Sequence, residues 1–152
     1  MITVDHKDFD IAQEYKQLRR TAGDAGAVVI FTGLVRELYQ AGLGGETTQS
    51  LELEHYPGMT EKSLELIVSR AKARWNVLDA RIIHRIGTLL PGDQIVLVGV
   101  ASAHRHDAFN ASQYIMDFLK SEAPFWKKQT TDSGSDWIES KKSDFDALKT
   151  WK

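Results

Sequence analysis

Apolar and polar positions change their period repeatedly along the chain, and each change predicts an element. Ile2 and Val4 alternate with polar neighbours, which predicts a short opening strand. Asp10 then stands where a helix cap belongs, before a segment from Ile11 to about Arg20 that carries Ile11, Tyr15 and Leu18 on one stripe. Gly23-Asp24-Ala25-Gly26 breaks that helix. Ala27 to Val35 (AVVIFTGLV) is rich in β-branched residues and too short for a helix, the pattern of a largely buried strand. Residues 37–49 hold three glycines and no apolar period, which predicts a mobile surface loop.

Leu51 to Tyr56 alternates leucine with glutamate and reads as a half-buried strand ended by Pro57-Gly58. From Thr60 to Trp75 the apolar residues Leu64, Ile67, Val68, Ala71 and Trp75 recur at helical spacing. Ala80–Ile86 predicts another strand, and Gln94–Ala103 (QIVLVGVASA) one apolar enough to be central. The Leu90-Pro91-Gly92-Asp93 turn between them points to an antiparallel hairpin. A third helix is expected from about His106 to Ser121, with Ala108, Ala111, Ile115 and Leu119 on its sheet-facing side and Pro124 barring its continuation. Phe125–Thr131 and Trp137–Glu139 read as short strands across a turn at 132–136, and 140–152 as a polar tail in a loose helix. Helices and strands mix without a strict alternation, so the expected class is α+β, one domain over residues 1–139 plus the tail.

Composition narrows the chemistry. A chain of 152 residues suits one domain with a core that needs no staples. Nineteen Lys and Arg against twenty-one Asp and Glu leave a net charge of −2, which argues against bulk attraction to nucleic acid or an anionic membrane. The absence of cysteine removes disulfides, thiolate metal sites, Cys nucleophiles and any persulfide carried on the chain. The N-terminal stretch lacks a basic region followed by an apolar one, and no apolar run approaches the ~20 residues of a membrane span, so a cytoplasmic protein is expected.

Several cationic residues fall near element ends. Lys120 projects near the C-terminal end of the third helix beside Met116, where one reading is a solvated amine favoured by the helix dipole. Lys127 shares a strand face with Phe125, and Lys128 with Trp126. Lys120 and Lys127 are separated by only a helix end and a turn; they read either as two unrelated surface lysines or as converging amines suited to holding an anion or moving a proton. His104 and Arg105 sit at a strand-to-helix junction, where helix N-termini attract anions. A metal site on His104 and His106 is a weak rival, because no third ligand follows at close spacing. Arg36 ends a strand, and its planar fork suits either an internal carboxylate or an anionic ligand. Gly42-Leu43-Gly44-Gly45 lacks the Lys-Ser/Thr ending of a phosphate-binding loop, and His55 and His84 read as structural. The sum is a local basic pocket on a net acidic protein, and hence a small anionic ligand.

At these residues the sequence resembles the catalytic (large) subunits of molybdopterin synthase. The resemblance is carried by GAVVIFTGLVRE (Gly26–Glu37), LEHYPGMTEKSL (Leu53–Leu64), IHRIGTLLPGD (Ile83–Asp93), VGVASAHRHDAF (Val98–Phe109) and IMDFLKSEAPFWKK (Ile115–Lys128), spread over residues 26–139. It implies an α+β fold of the hammerhead type with an additional small antiparallel sheet. It also implies a homodimer that binds one small ubiquitin-like subunit at each end, a heterotetramer. That small subunit ends in Gly-Gly bearing a thiocarboxylate. The implied reaction moves sulfur from it to cyclic pyranopterin monophosphate in two rounds, forming the dithiolene of molybdopterin, with no metal and no cofactor on the chain itself.

By position, the resemblance makes Lys120 and Lys127 the essential lysines and His104-Arg105 the anion-binding pair. Arg36 matches an arginine that reaches the site across the dimer, with Leu34 and Val35 beside it. Lys128 and Gln129 fall in the substrate-lining segment. The chain departs from the family where Leu34 replaces a common basic residue and Lys128-Gln129 a common Arg-Glu, which touches fine substrate contacts and not the reaction. Two rivals from other classes are a non-catalytic anion-binding dimer that only recruits a ubiquitin-like partner, and a small-RNA binder. The lysine pair with His104-Arg105 weighs against the first, and the single short aromatic-lysine block against the second.

Overall fold

The computed structural model describes residues 1–36, 48–131, 134–138 and 142–151. Among the described residues, eight strands form two four-stranded sheets. The first is built from β1 (Ile2–Asp5), β4 (Asp79–Arg85), β6 (Gln94–Ser102) and β2 (Ala27–Leu34) in that spatial order. β1 runs parallel to β4, and the other two pairings are antiparallel. The second sheet, wholly antiparallel, is ordered β5 (Gly87–Leu89), β3 (Thr48–His55), β7 (Phe125–Thr131), β8 (Gly134–Ile138). This is the α+β class that the residue pattern predicts, with the second small antiparallel sheet that the family resemblance implies.

The long apolar strand β6 is central because both its faces are covered. Val96, Val98 and Val100 join the main core with α2 (Met59–Arg74) and α3 (Arg105–Glu122), through Leu64, Ile67, Ala71, Ala111, Ile115 and Leu119. The opposite face meets α1 (Ile11–Ala22): a Cβ on Gly99 would lie 2.9 Å from Leu18 Cδ2, so glycine admits the helix there. Asp10 caps α1 as its spacing predicts, accepting from the Gln13 amide at 3.2 Å. Of the expected α1 stripe only Leu18 is buried; Ile11 and Tyr15 remain exposed.

Other expectations change as well. β2, read as largely buried, is half-buried with Phe31 and Leu34 exposed, because it is an edge strand of its sheet. β3 begins at Thr48, so the end of the segment read as a loop is strand; residues 37–47 lie outside the described residues. β4 and β6 pair antiparallel, yet they are not joined by a tight hairpin. Between them the chain turns at Gly87 (φ +88°) and contributes β5 to the other sheet, pairing with Leu51–Leu53. β8 starts at Gly134 and not at Trp137; residues 132–133 and 139 are outside the described set. Lastly, the tail is not loose where described. A short helix, α4 (Lys142–Ala147), and a 3-10 turn over Leu148–Trp151 end with the Trp151 indole donating to Asp117 at 2.7 Å, its ring edge-on to Trp75 and Tyr114.

Candidate active site

The site grows from the place where the two sheets meet. On β4 the side chain of His84 turns inward and is 4% exposed. Its ring stacks on Phe125, the first residue of β7, at 3.8 Å between centroids and 19° between planes. Its Nδ1 lies 2.8 Å from the Arg85 carbonyl oxygen; a carbonyl only accepts, so Nδ1 carries the proton. Burial, above all, drives the ring pKa down from 6.5 to about 4, and the nearby positive charges of Lys127 and Lys120 push the same way, against the raising effect of the Arg85 carbonyl. The imidazole is therefore neutral at physiological pH.

Lys127 lies on the same β7 face as Phe125, opposite the buried Leu53. Lys120 occupies the exposed last turn of α3. Both contribute positive charge at the His84 ring, and only the Ala123-Pro124 break separates the elements that carry them. The local fold explains that placement. Ala123 breaks α3 with extended geometry, Pro124 follows, and the chain re-enters as β7 directly. The junction is pinned by Thr60, fully buried at the start of α2: its hydroxyl donates to the Pro124 carbonyl and accepts from the Tyr56 amide, each at 3.0 Å. His55, across β3 from Phe125, adds a second imidazole 3.9 Å from Glu61.

The other expected site residues divide by end of the sheet. β2 ends beside Gln94, the start of β6, and His84 pairs with Val96 on β6's other flank. Arg36, exposed just past β2, thus lies at the His84 end of its own chain. Leu34 is 56% exposed there. Val35 is core: it packs with Leu53, Ile86 and Leu89, while its amide donates to Asp93 and its carbonyl accepts from Gly92. Lys128 faces the other side of β7, its ammonium 5.7 Å from the centre of the Trp137 ring. The backbone of Gln129 lies opposite Leu51 and Asp136; its side chain is outside the described set.

His104 and Arg105 go elsewhere. His104 stands at the N-cap of α3 and Arg105 opens it, both exposed. Fifteen residues of helix separate Arg105 from Lys120, about 22 Å at ~1.5 Å of rise each. Within one chain the five cations therefore form two groups, Arg36–Lys120–Lys127 at one end and His104–Arg105 at the other. His55 and His84, both read from the sequence as structural, stand at the ends of β3 and β4 beside Phe125, His84 one residue before β4 ends at Arg85.

Comparison with known proteins now adds to this geometry. The MoaE protein family matches residues 4–122. A curated relative from Vibrio cholerae, named molybdopterin synthase catalytic subunit, is 52% identical over 150 residues that span 99% of this chain and 97% of its own. Among solved structures, the molybdopterin biosynthesis MoaE protein of Burkholderia ambifaria superposes with a TM-score of 0.84 at 45% identity, covering 99% of this chain and 97% of that one. A structure from Helicobacter pylori, a complex of subunits 1 and 2 of molybdopterin-converting factor, shares the fold with a TM-score of 0.73 at 20% identity, over 92% and 91% of the two chains. With a family match over most of its length and relatives at half identity across nearly all of it, the chain belongs to the MoaE family.

Proposed function

We propose that this chain is the subunit of a molybdopterin synthase in which sulfur passes from the C-terminal thiocarboxylate of a small ubiquitin-like partner to cyclic pyranopterin monophosphate, building the dithiolene in two rounds. The observation that carries the reading is the placement of Lys120 in the last turn of α3 and Lys127 near the start of β7, on either side of the short Ala123-Pro124 break. The chain has no cysteine to carry sulfur, so the sulfur comes from outside. Thiocarboxylate and phosphate are both anions, and a lysine pair beside Arg36 suits them. Complex formation by the Helicobacter pylori relatives supports a partner subunit.

In this reading Lys120 stabilises charge at the acyl–sulfur centre or moves the proton there, and Lys127 holds the pterin and its phosphate. His104 and Arg105, about 22 Å down the helix, belong to the site of a second copy. Two copies arranged in this way would each complete the other's pocket.

The test is single-turnover formation of molybdopterin from purified chain, thiocarboxylated partner and pterin precursor. Lys120→Ala is expected to lose about 10²–10⁴ in rate, the usual worth of a positioned proton or charge donor. Near-normal turnover by Lys120→Ala would remove the assignment, and no turnover by the unaltered chain would favour a recruiting role without catalysis.

A further inference from the structure

Among the described residues, β2 is the long open edge of the first sheet. It pairs with β6 on one side and with no strand on the other. Natural edges are blunted by brevity, charge or proline. β1, at the far side of the same sheet, has four residues and ends in Asp5. β2 runs for eight, with no charged residue and no proline, and its register irregularity falls at its last pair, Gly33/Leu34. None of its residues is buried, although α3 packs on it; Phe31 is 41% exposed.

α3 supplies an independent observation. It packs on both β6 and β2. One flank faces α2, where Arg70 pairs with Glu122 at 2.6 Å and lies over the Phe118 ring, and Arg74 lies over Tyr114. At ~100° per residue the other flank, on the β2 side, carries Arg105, Phe109, Met116 and Lys120. Phe109 on that flank is 62% exposed. β2 and α3 both run antiparallel to β6, so Arg105 stands at the Ala27 end of β2 and Lys120 at the Leu34 end.

We propose that the open edge of β2 is where a second copy of this chain docks, β2 against β2, antiparallel about a two-fold axis. That axis exchanges the ends. The Ala27 end of each copy, with His104 and Arg105, comes beside the Leu34 end of the other, with Arg36 and Lys120. Strands in a sheet lie ~4.8 Å apart, so two α3 helices seated over their own β6–β2 pairs stand ~10 Å apart, the distance at which helices pack. Running antiparallel and centred between Ser112 and Gln113, they set Phe109 against Met116 of the other copy, apolar on apolar, and Arg105 beside its Lys120. A parallel pairing would set Arg105 on Arg105 and Lys120 on Lys120, like charge on like. The same pairing closes the unsatisfied edge and joins the two cation groups that one chain holds apart. The part it plays in turnover rests on the proposed function; the docking itself does not.

The chain has no cysteine, so introduced thiols are the only ones to react. The experiment coexpresses full-length Ala27→Cys and Leu34→Cys chains and oxidises the product. With random pairing half the dimers are mixed, so about half the chains are expected to link. Either variant alone is expected not to link, because like ends lie ~24 Å apart along the paired strands, far beyond the span of a disulfide. Phe109→Cys with Met116→Cys, joined by a short bismaleimide, reports the helix pair in the same way and carries the test should a β2 variant not fold. Phe31→Asp sets two carboxylates near the axis and is expected to weaken self-association in sedimentation by about tenfold or more. Linkage within Ala27→Cys alone, linkage in neither pair, or an unaltered chain that sediments as a monomer overturns the proposal. So does capture of Leu34→Cys by the small partner in place of Ala27→Cys, which would give the edge to that partner. If the cross-links form while the unaltered chain does not turn over, the proposed function fails and the docking edge stands.

Discussion

A single imidazole links stability to pH in this protein. The His84 ring in the folded chain binds a proton only near pH 4, whereas the unfolded ring does so near 6.5. Between those values the unfolded state holds more protons, so stability rises with pH and is lost as pH falls through that window. From pH 7 to pH 5 the loss from this residue is about 2 kcal/mol, at ~1.4 kcal/mol per unit of pKa difference. Urea unfolding at the two pH values measures it, and His84→Gln is expected to flatten the difference; an equal drop in both proteins would assign the pH dependence to other groups. At this scale the sequence showed the lysines more readily than the histidine. Lys120 and Lys127 bracket a helix stop, so their neighbourhood follows from local spacing. His84 owes its role to Phe125, some forty positions away, and to burial that only the closing of two sheets produces. Val35, named beside Arg36 by family resemblance, turns its side chain into the small core with Leu53, Ile86 and Leu89, which the neighbouring residues alone do not reveal.

Elements with a long period were legible, and short ones made by distant pairing were not. α2 and α3 bury the apolar residues that their spacing marks, because a stripe several turns long outweighs any single misplaced side chain. β5 is three residues, Gly87-Thr88-Leu89, and owes its existence to pairing with β3 more than thirty positions earlier. No local pattern encodes that pairing. The α2–β7 junction is similarly non-local, and it holds Lys127 in place. Thr60 supplies its only described side-chain hydrogen bonds to the Tyr56 amide and the Pro124 carbonyl. Thr60→Val keeps shape and burial while leaving both backbone groups unsatisfied, at a cost of about 2 kcal/mol. Denaturant unfolding should register that loss. Turnover should fall as well, through a higher KM for the pterin phosphate, since the start of β7 sets where Lys127 stands. A variant as stable as the unaltered chain would mean that water or rearrangement satisfies both groups.

At the scale of the whole molecule, α3 acts as a spacer. It carries Lys120 at one end and Arg105 at the other, about 22 Å apart by helical rise, so the cations that the sequence groups together cannot meet inside one chain. Nothing local in the sequence shows this, since strand–helix junctions and helix ends attract functional residues alike. Arg36, by contrast, shares the His84 end with its own chain's lysines, although family resemblance made it the residue that reaches across a dimer. The two arrangements make opposite predictions for mixed subunits. Consider chains carrying Lys120→Ala mixed with chains carrying His104→Ala and Arg105→Ala. In a mixed dimer one site receives Lys120, Lys127 and Arg36 from the second chain and His104-Arg105 from the first, all intact. With random exchange half the dimers are mixed and each holds one good site of two, so about a quarter of normal turnover should return from two inactive preparations. Mixing Arg36→Ala with Lys120→Ala should restore nothing, because both residues then serve the same site from the same chain, and each site in the mixed dimer lacks one of them. Recovery in the second mixture and none in the first would place Arg36, and not the His104-Arg105 pair, as the group that crosses between copies.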